Sequence, residues 1–263
     1  MSYMTNKAPD QSDFERRLQE LTQQQNAALA MVVPHLGTGF ASAKLCGGTA
    51  LSRFYLQHRL SYDLDFFLPS GFNAQAMLDQ LASKVAISNL EITHDSAKAD
   101  QLHFTVETAG SPIKISLVED MYASLYPAVP IAPAVSKLPL MTEGIAGLYH
   151  RKLRTIVGWA DAMATHPAGG RQTARDMFDL YVLSQAHMPL RPFIESLPYT
   201  FAITAFEEGL AAMPWFDLIS ELEETMAAPR WRAGTDVQQL RDHLYAEIGM
   251  TESPSHDADT SNR

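Results

Sequence analysis

The sequence predicts an α+β (α/β) fold: a mixed sheet flanked by helices, followed by a helical C-terminal half. Three observations carry this. Residues 46–68 read as a glycine turn, a helix, a loop and a strand. Residues 86–119 hold three short runs with the apolar–polar alternation of half-buried strands. From Thr142 onward, apolar residues recur at helical spacing.

Bulk properties narrow the function. The chain has 263 residues, enough for one large domain or two small ones. It is 46% hydrophobic and 19% charged, as in an ordinary globular protein. With 20 Lys+Arg against 30 Asp+Glu it is acidic, which excludes a general nucleic-acid coat protein. A single cysteine, Cys46, excludes an intrachain disulfide and a cysteine-rich zinc site. No apolar run approaches a membrane span and the N-terminus lacks a signal-type apolar segment, so the expected location is the cytoplasm, with no membrane partner.

In chain order, residues 1–12 are polar and expected to be loose. Phe14, Leu18, Leu21, Leu29, Val32 and Val33 predict a helix, broken at the glutamine run 23–25 and ended by Pro34, Gly37 and Gly39. Residues 1–43 are thus an N-terminal helical arm. Ala43 to Leu45 precede Gly47 and Gly48, a pair that permits positive φ and close approach to a ligand. Thr49 stands at a helix start, where free N–H groups attract phosphate. Leu51, Phe54, Tyr55 and His58 form the apolar face of that helix. Ser61 to Leu68 reads as a strand closed by the turn at Pro69–Gly71.

Asn73 caps a predicted helix to Val85. Leu90–Ile92, Leu102–Val106 and Ile113–Val118 follow as strands of one antiparallel or mixed sheet. That sheet also takes in the segment before Gly47 and the 61–68 strand. Residues 121–140 carry prolines at 127, 130, 133 and 139, expected as a linker or strap. The core is therefore placed at 44–135 and a helical domain at 136–250. Thr142 is expected to cap a helix to about Met163, and Thr173 to start one ending near His187. Residues 251–263 lack large apolar groups and are expected to be a disordered tail.

The chemistry centres on Asp63 and Asp65. At i and i+2 of a strand they share a face, roughly 6.5–7 Å apart along it. Two such carboxylates can converge on a hard cation such as Mg²⁺, which is often held by one or two carboxylates plus substrate phosphates. A glycine turn for phosphates one helix before a D-x-D strand is the layout of a phosphoryl-transfer site. Lys152 interrupts an apolar helical stripe. It either snorkels over a core edge or faces a triphosphate. Between His150 and Arg175 stand Arg151, Lys152, Arg154, Arg171 and Arg175 against Asp161 alone, a local excess able to attract phosphates.

Gly47-Gly48-Thr49, Arg59 and Ser61-Tyr62-Asp63-Leu64-Asp65 resemble the signature of polymerase-β-like nucleotidyltransferases. The details are most similar to the AbiEii/AbiGii toxin branch: G-G-T-A-L, a short helix, then R-x-S-x-D-L-D-F-F. Lys152-Leu153 and Arg175-Asp176-Met-Phe-Asp179-Leu180 match that branch's later segments, so the resemblance covers roughly residues 44–184. It implies an NTP substrate, Mg²⁺ (or Mn²⁺), and transfer of an NMP to an acceptor hydroxyl, on a tRNA 3′ end or a protein. It also implies a toxin or phage-defence role, a cognate antitoxin, and a helical domain that completes the active site. Carried over residue by residue, Asp63 and Asp65 hold metal and, with Lys152 and Asp176, act in catalysis. Gly47, Gly48, Thr49, Arg59, Ser61 and Lys152 bind the nucleotide.

One departure stands out. The third carboxylate of the superfamily aligns with Ser116, not an acid, with Glu107, Glu119 and Asp120 nearby. This leaves a two-carboxylate site, an acid from elsewhere, or a catalytically degenerate module that binds nucleotide or a partner. Asp176 and Asp179 have a structural alternative, pairing with Arg151, Arg154 or Arg175. The acidic run Glu207, Glu208, Asp217, Glu221, Glu223 and Glu224 reads as a solvated face, with docking of a basic antitoxin as its alternative. A glycosidase carboxylate pair fits poorly, since i, i+2 acids lie on one side of a ligand.

Overall fold

The computed structural model describes residues 10–93, 100–120, 125–132, 140–157, 173–197 and 203–250. The helix expected beyond Val157, the loop at 166–170, Arg171, Pro133, Pro139 and the 251–263 tail lie outside them. The chain divides into two units, residues 1–152 with 225–232 and residues 153–224 with 233–263.

In the first unit, α1 (Gln11–Val32) starts where Asp10 accepts a hydrogen bond from the Asp13 amide. It runs unbroken through the glutamine run, because Gln25 is buried and its amide donates to the Ser61 carbonyl at 2.8 Å. After two short 3₁₀ turns come β1 (Lys44–Cys46) and α2 (Gly47–Ala50), which continues as a π-helical segment, Leu51–Leu56. Then follow β2 (Leu64–Leu68), α3 (Ala74–Ala82), β3 (Ile87–Thr93), β4 (Gln101–Val106) and β5 (Ile113–Glu119). Asn73 caps α3 as expected, accepting from the Ala76 amide at 2.8 Å. The expected 61–68 strand begins only at Leu64, so Asp63 lies just ahead of β2.

The proline-rich strap contributes one short strand, β6 (Ala128–Pro130), and β7 (Met141–Glu143) follows directly after it. Thr142 is not a helix cap. It lies in β7 with its hydroxyl donating to the Leu45 carbonyl at 2.8 Å, and α4 (Ile145–Val157) begins three residues later.

The seven strands form one mixed sheet in the order β3-β4-β5-β2-β1-β7-β6. Pairings β1–β7 and β2–β5 are parallel and the rest antiparallel. Register puts Leu45, Leu64, Phe66, Phe104, Ile115 and Leu117 on one face, all fully buried. α1 and α3 lie against this sheet, and Phe40 stacks edge-on to Phe66 with centroids 4.9 Å apart. Side chains alternate along a strand. The opposite face therefore carries Lys44, Asp65, Phe67, His103 and Ser116.

The second unit is helical: α5 (Ala174–Ala186), α6 (Leu190–Glu195), α7 (Ile203–Ala211), α8 (Ile219–Glu224) and α9 (Val237–Ile248). α5 is buried from Asp176 through Ser184, on all sides, which makes it a core helix of this unit.

Candidate active site

β1 ends at Cys46 and the chain turns at Gly47, whose φ of 71° belongs to the left-handed region that glycine tolerates. A Cβ on Gly47 would lie 3.0 Å from Asp65 Oδ2. A Cβ on Gly48 would lie 1.9 Å from Arg59 Nη2 and 3.0 Å from Ser61 Oγ. The two glycines thus leave the space that the Asp65 carboxylate, the Arg59 guanidinium and the Ser61 hydroxyl approach. Thr49 is buried, with Oγ1 at 3.0 Å from Ser61 Oγ and against the Asp63 carbonyl. Its hydroxyl fixes the loop that carries Ser61 and Asp63, and leaves its backbone N–H as the group suited to phosphate.

The same loop is held from the far end of the unit. Leu60 N donates to Met226 O at 2.9 Å, Ala228 N donates to His58 O at 2.7 Å, and Arg59 bridges Ala227. Sequence reading missed this clamp, which no local pattern signals.

Asp65 and Asp63 are both half-buried. Asp65 pairs in register with Cys46 on one side and Ser116 on the other, and Ser116 pairs with His103. The third-acid position is therefore a hydroxyl in the structure as in the sequence. The acids nearby do not replace it. Glu119 pairs with Leu68 and accepts from Gly71 N and Asp100 N. Asp120 is buried in ion pairs, and Glu107 is exposed. Among the described residues no group of three His, Cys, Asp or Glu side chains is placed to hold a metal. His103 was also missed, although alternation with Leu102 and Phe104 puts it on the Asp65 face. Burial, then the charge of Lys114, holds its pKa below the usual histidine range against the pull of Glu91 and Asp65.

Beside this face lies a buried four-charge network. Lys44 Nζ is 2.9 Å from both Asp120 Oδ2 and Glu143 Oε1. Arg151 Nε donates to Glu143 Oε2 at 2.7 Å and Nη2 to Asp120 at 2.9 Å, while its guanidinium sits 4.3 Å from the Phe67 ring centroid. Arg151 is thus engaged by Asp120 and Glu143. Burial pulls its pKa down, but the hydrogen bond and charge of Glu143, with Asp120, leave it raised. Lys152 follows on α4 and is also buried. The Cys46 thiol is held far above its ordinary pKa, chiefly by burial, which makes it an inert packing group.

Asp176 lies in the second unit, in the first turn of α5. Thr173 Oγ1 donates to its carboxylate at 2.8 Å, and the Asp176 amide donates back to that hydroxyl at 3.3 Å. Asp179 is fully buried. Glu221, from the acidic run, accepts from the Ala174 amide at 3.1 Å and caps the same helix rather than facing only solvent.

The glycine turn backed onto a strand aspartate in a mixed sheet is the arrangement that the nucleotidyltransferase resemblance implies. A family model described as nucleotidyl transferase AbiEii toxin, Type IV TA system, matches residues 36–244. The chain belongs to this family, and the resemblance read from its motifs holds. It is thus a nucleotidyltransferase toxin of a toxin–antitoxin family. Among solved structures, JHP933 from Helicobacter pylori is 16% identical, with 86% of this chain and 91% of that chain covered and a TM-score of 0.46. MenT4, a nucleotidyltransferase toxin from Mycobacterium tuberculosis, is 16% identical over 89% and 84% of the two chains, with a TM-score of 0.44. No match to the chain was found among curated proteins. Among the described residues, no helix is long and apolar enough to cross a membrane.

Proposed function

We propose that this toxin transfers an NMP from an NTP to an acceptor hydroxyl in a metal-dependent reaction, within a cytoplasmic phage-defence system neutralised by a cognate antitoxin. The approach of Gly47 to Asp65 Oδ2, with Arg59 and Ser61 gathered at Gly48, carries this reading. The donor set suits Mg²⁺ or Mn²⁺: carboxylate oxygens from Asp63 and Asp65, a hydroxyl at Ser116, and a backbone left bare at Gly47 for substrate phosphates. Such a cation, when bound, would neutralise triphosphate charge and activate the α-phosphorus.

In this account Asp63 and Asp65 hold the cation. The Gly48 and Thr49 amides contact phosphate oxygens. Arg59 and Ser61 orient the triphosphate, and Lys152 offsets charge developing on the leaving pyrophosphate. Asp176 takes its role in catalysis or proton removal from the family resemblance. Sites of this kind work by positioning and by fixed charge. The first acceptor to try is a tRNA 3′ end, and the second a protein hydroxyl, including the toxin's own.

The test is to incubate the pure protein with each α-labelled nucleotide and total tRNA, with Mg²⁺, Mn²⁺ or chelator. Label moving to RNA or protein only with metal supports the proposal and names the acceptor. Nucleotide bound without any transfer would instead mark a degenerate binding module, the reading that Ser116 beside Asp65 favours.

A further inference from the structure

Arg53 is a cation without an acid. It lies on the helical segment that follows the glycine turn, and its guanidinium turns back onto α1. There Nη1 donates to Gln25 Oε1 at 3.2 Å and Nη2 to Asn26 Oδ1 at 2.8 Å. Both acceptors are neutral amides, Nε is buried without a hydrogen-bond partner, and the guanidinium's other neighbour is the Phe54 ring, 5.4 Å to its centroid. Among the described residues no carboxylate forms an ion pair with it, in a chain where acids outnumber bases. Burial alone pushes its pKa down to about 10, with no opposing pull from an acid. A desolvated charge is costly unless it is paired. The contrast with Arg151, held by two carboxylates, is direct.

The neighbourhood says what would pair with it. Gln25, which holds Arg53 with one end of its amide, uses the other to hold Ser61 O at 2.8 Å and Tyr62 O at 3.3 Å. Arg53 therefore stands one side-chain amide away from the loop leading into Asp63 and Asp65. Tyr62, in that loop, is 50% exposed, one of the few large hydrophobic side chains left open among the described residues. A guanidinium without an acid, and an open aromatic residue in the loop whose carbonyls Gln25 holds, are the two kinds of group that bind single-stranded nucleic acid: phosphate on the cation, base on the ring.

We propose that Arg53 and Tyr62 form a subsite for the acceptor strand, an RNA backbone phosphate on Arg53 and an unstacked base on Tyr62, next to the carboxylates that serve the reaction. This rests on the nucleotidyl-transfer reading and names RNA as the acceptor class.

The test measures equilibrium binding of a fluorescent short single-stranded RNA to the full chain without nucleotide, across a salt series, for wild type, Arg53→Met, Arg53→Lys and Tyr62→Ala. Arg53→Met should weaken binding about tenfold and lower the salt slope by about one phosphate contact. Arg53→Lys should keep most of the slope. Tyr62→Ala should weaken binding about tenfold with the slope unchanged. NTP binding by calorimetry should stay at the wild-type value in all three. RNA affinity unchanged in both Arg53→Met and Tyr62→Ala would overturn the subsite. So would a loss of NTP binding in Arg53→Met with RNA binding intact, which would give the phosphate to the donor nucleotide. Because RNA binding is read without turnover, a failed transfer assay leaves this result standing on its own.

Discussion

Asp65 on β2 and Ser116 on β5 are direct partners in a parallel ladder, both on the sheet face turned away from the apolar core. A buried hydroxyl thus stands beside Asp65, at the position that the family resemblance aligns with a third carboxylate. Ser116→Asp would set two carboxylates side by side, and like charges so close destabilise each other. The variant should melt below wild type without divalent ions and recover more than wild type on adding Mn²⁺. An equal metal response in both proteins would contradict a cation at Asp65.

Gly48→Ala should abolish transfer while leaving the protein folded. Its Cβ would fall 1.9 Å from Arg59 Nη2, so the guanidinium must leave its place at the turn. Gly47→Ala adds strain at φ 71°, on the order of 1–2 kcal/mol, and crowds Asp65 Oδ2. Steady-state kinetics with circular dichroism on each variant separate the two effects. Wild-type kinetics in Gly48→Ala would remove the turn from the site.

Lys44→Met should cost about 3–5 kcal/mol in urea unfolding, because it strands Asp120 and Glu143 with Arg151 alone. Burial pulls the Lys44 pKa down, but its bonds to Glu143 and Asp120 leave it raised above 10.5. Its contribution to stability is therefore complete below the unfolded-state value and lost as pH rises through the folded one. Wild type should lose stability above about pH 10.5 through this group, and Lys44→Met should lack that component.

His243 makes an acid-side prediction. Its Nε2 lies 2.7 Å from Ser184 Oγ and 3.9 Å from Glu247, and its ring meets Tyr181 edge-on. Burial lowers its pKa below 6.5 against the charge of Glu247, so the fold favours its neutral form. Its contribution is present above the unfolded-state value and lost as pH falls through the folded one. The melting temperature should decline from about pH 6.5 downward, and less steeply in His243→Gln. Parallel curves for the two proteins would contradict this.

Local chemistry made much of the fold legible. The paired glycines, the Asn73 cap and the alternating runs at 102–106 and 113–118 each act within a few residues, and each element formed. Thr142 misled because its hydroxyl serves a distant strand carbonyl rather than a helix end. The glutamine run misled because Gln25 is buried to hold Ser61, a need no helix propensity reports. The charge network escaped for the same reason: a local count registers the excess of positive residues around Arg151, but Lys44 and Glu143 stand 99 residues apart in the chain. In the site, the turn and β2 could be read from spacing. The family resemblance already pointed to Ser116, and strand pairing adds its register with Asp65; the clamp at 226–228 needed tertiary structure.

The most direct measurement is transfer of an α-labelled nucleotide by Asp65→Ala beside wild type, in Mg²⁺ or Mn²⁺, with melting curves on both. Asp65 is half-buried and its loss should leave the fold intact. Transfer should fall to background while the melting transition stays cooperative. Transfer at the wild-type rate by a folded Asp65→Ala protein would contradict the metal-holding role at the centre of the site.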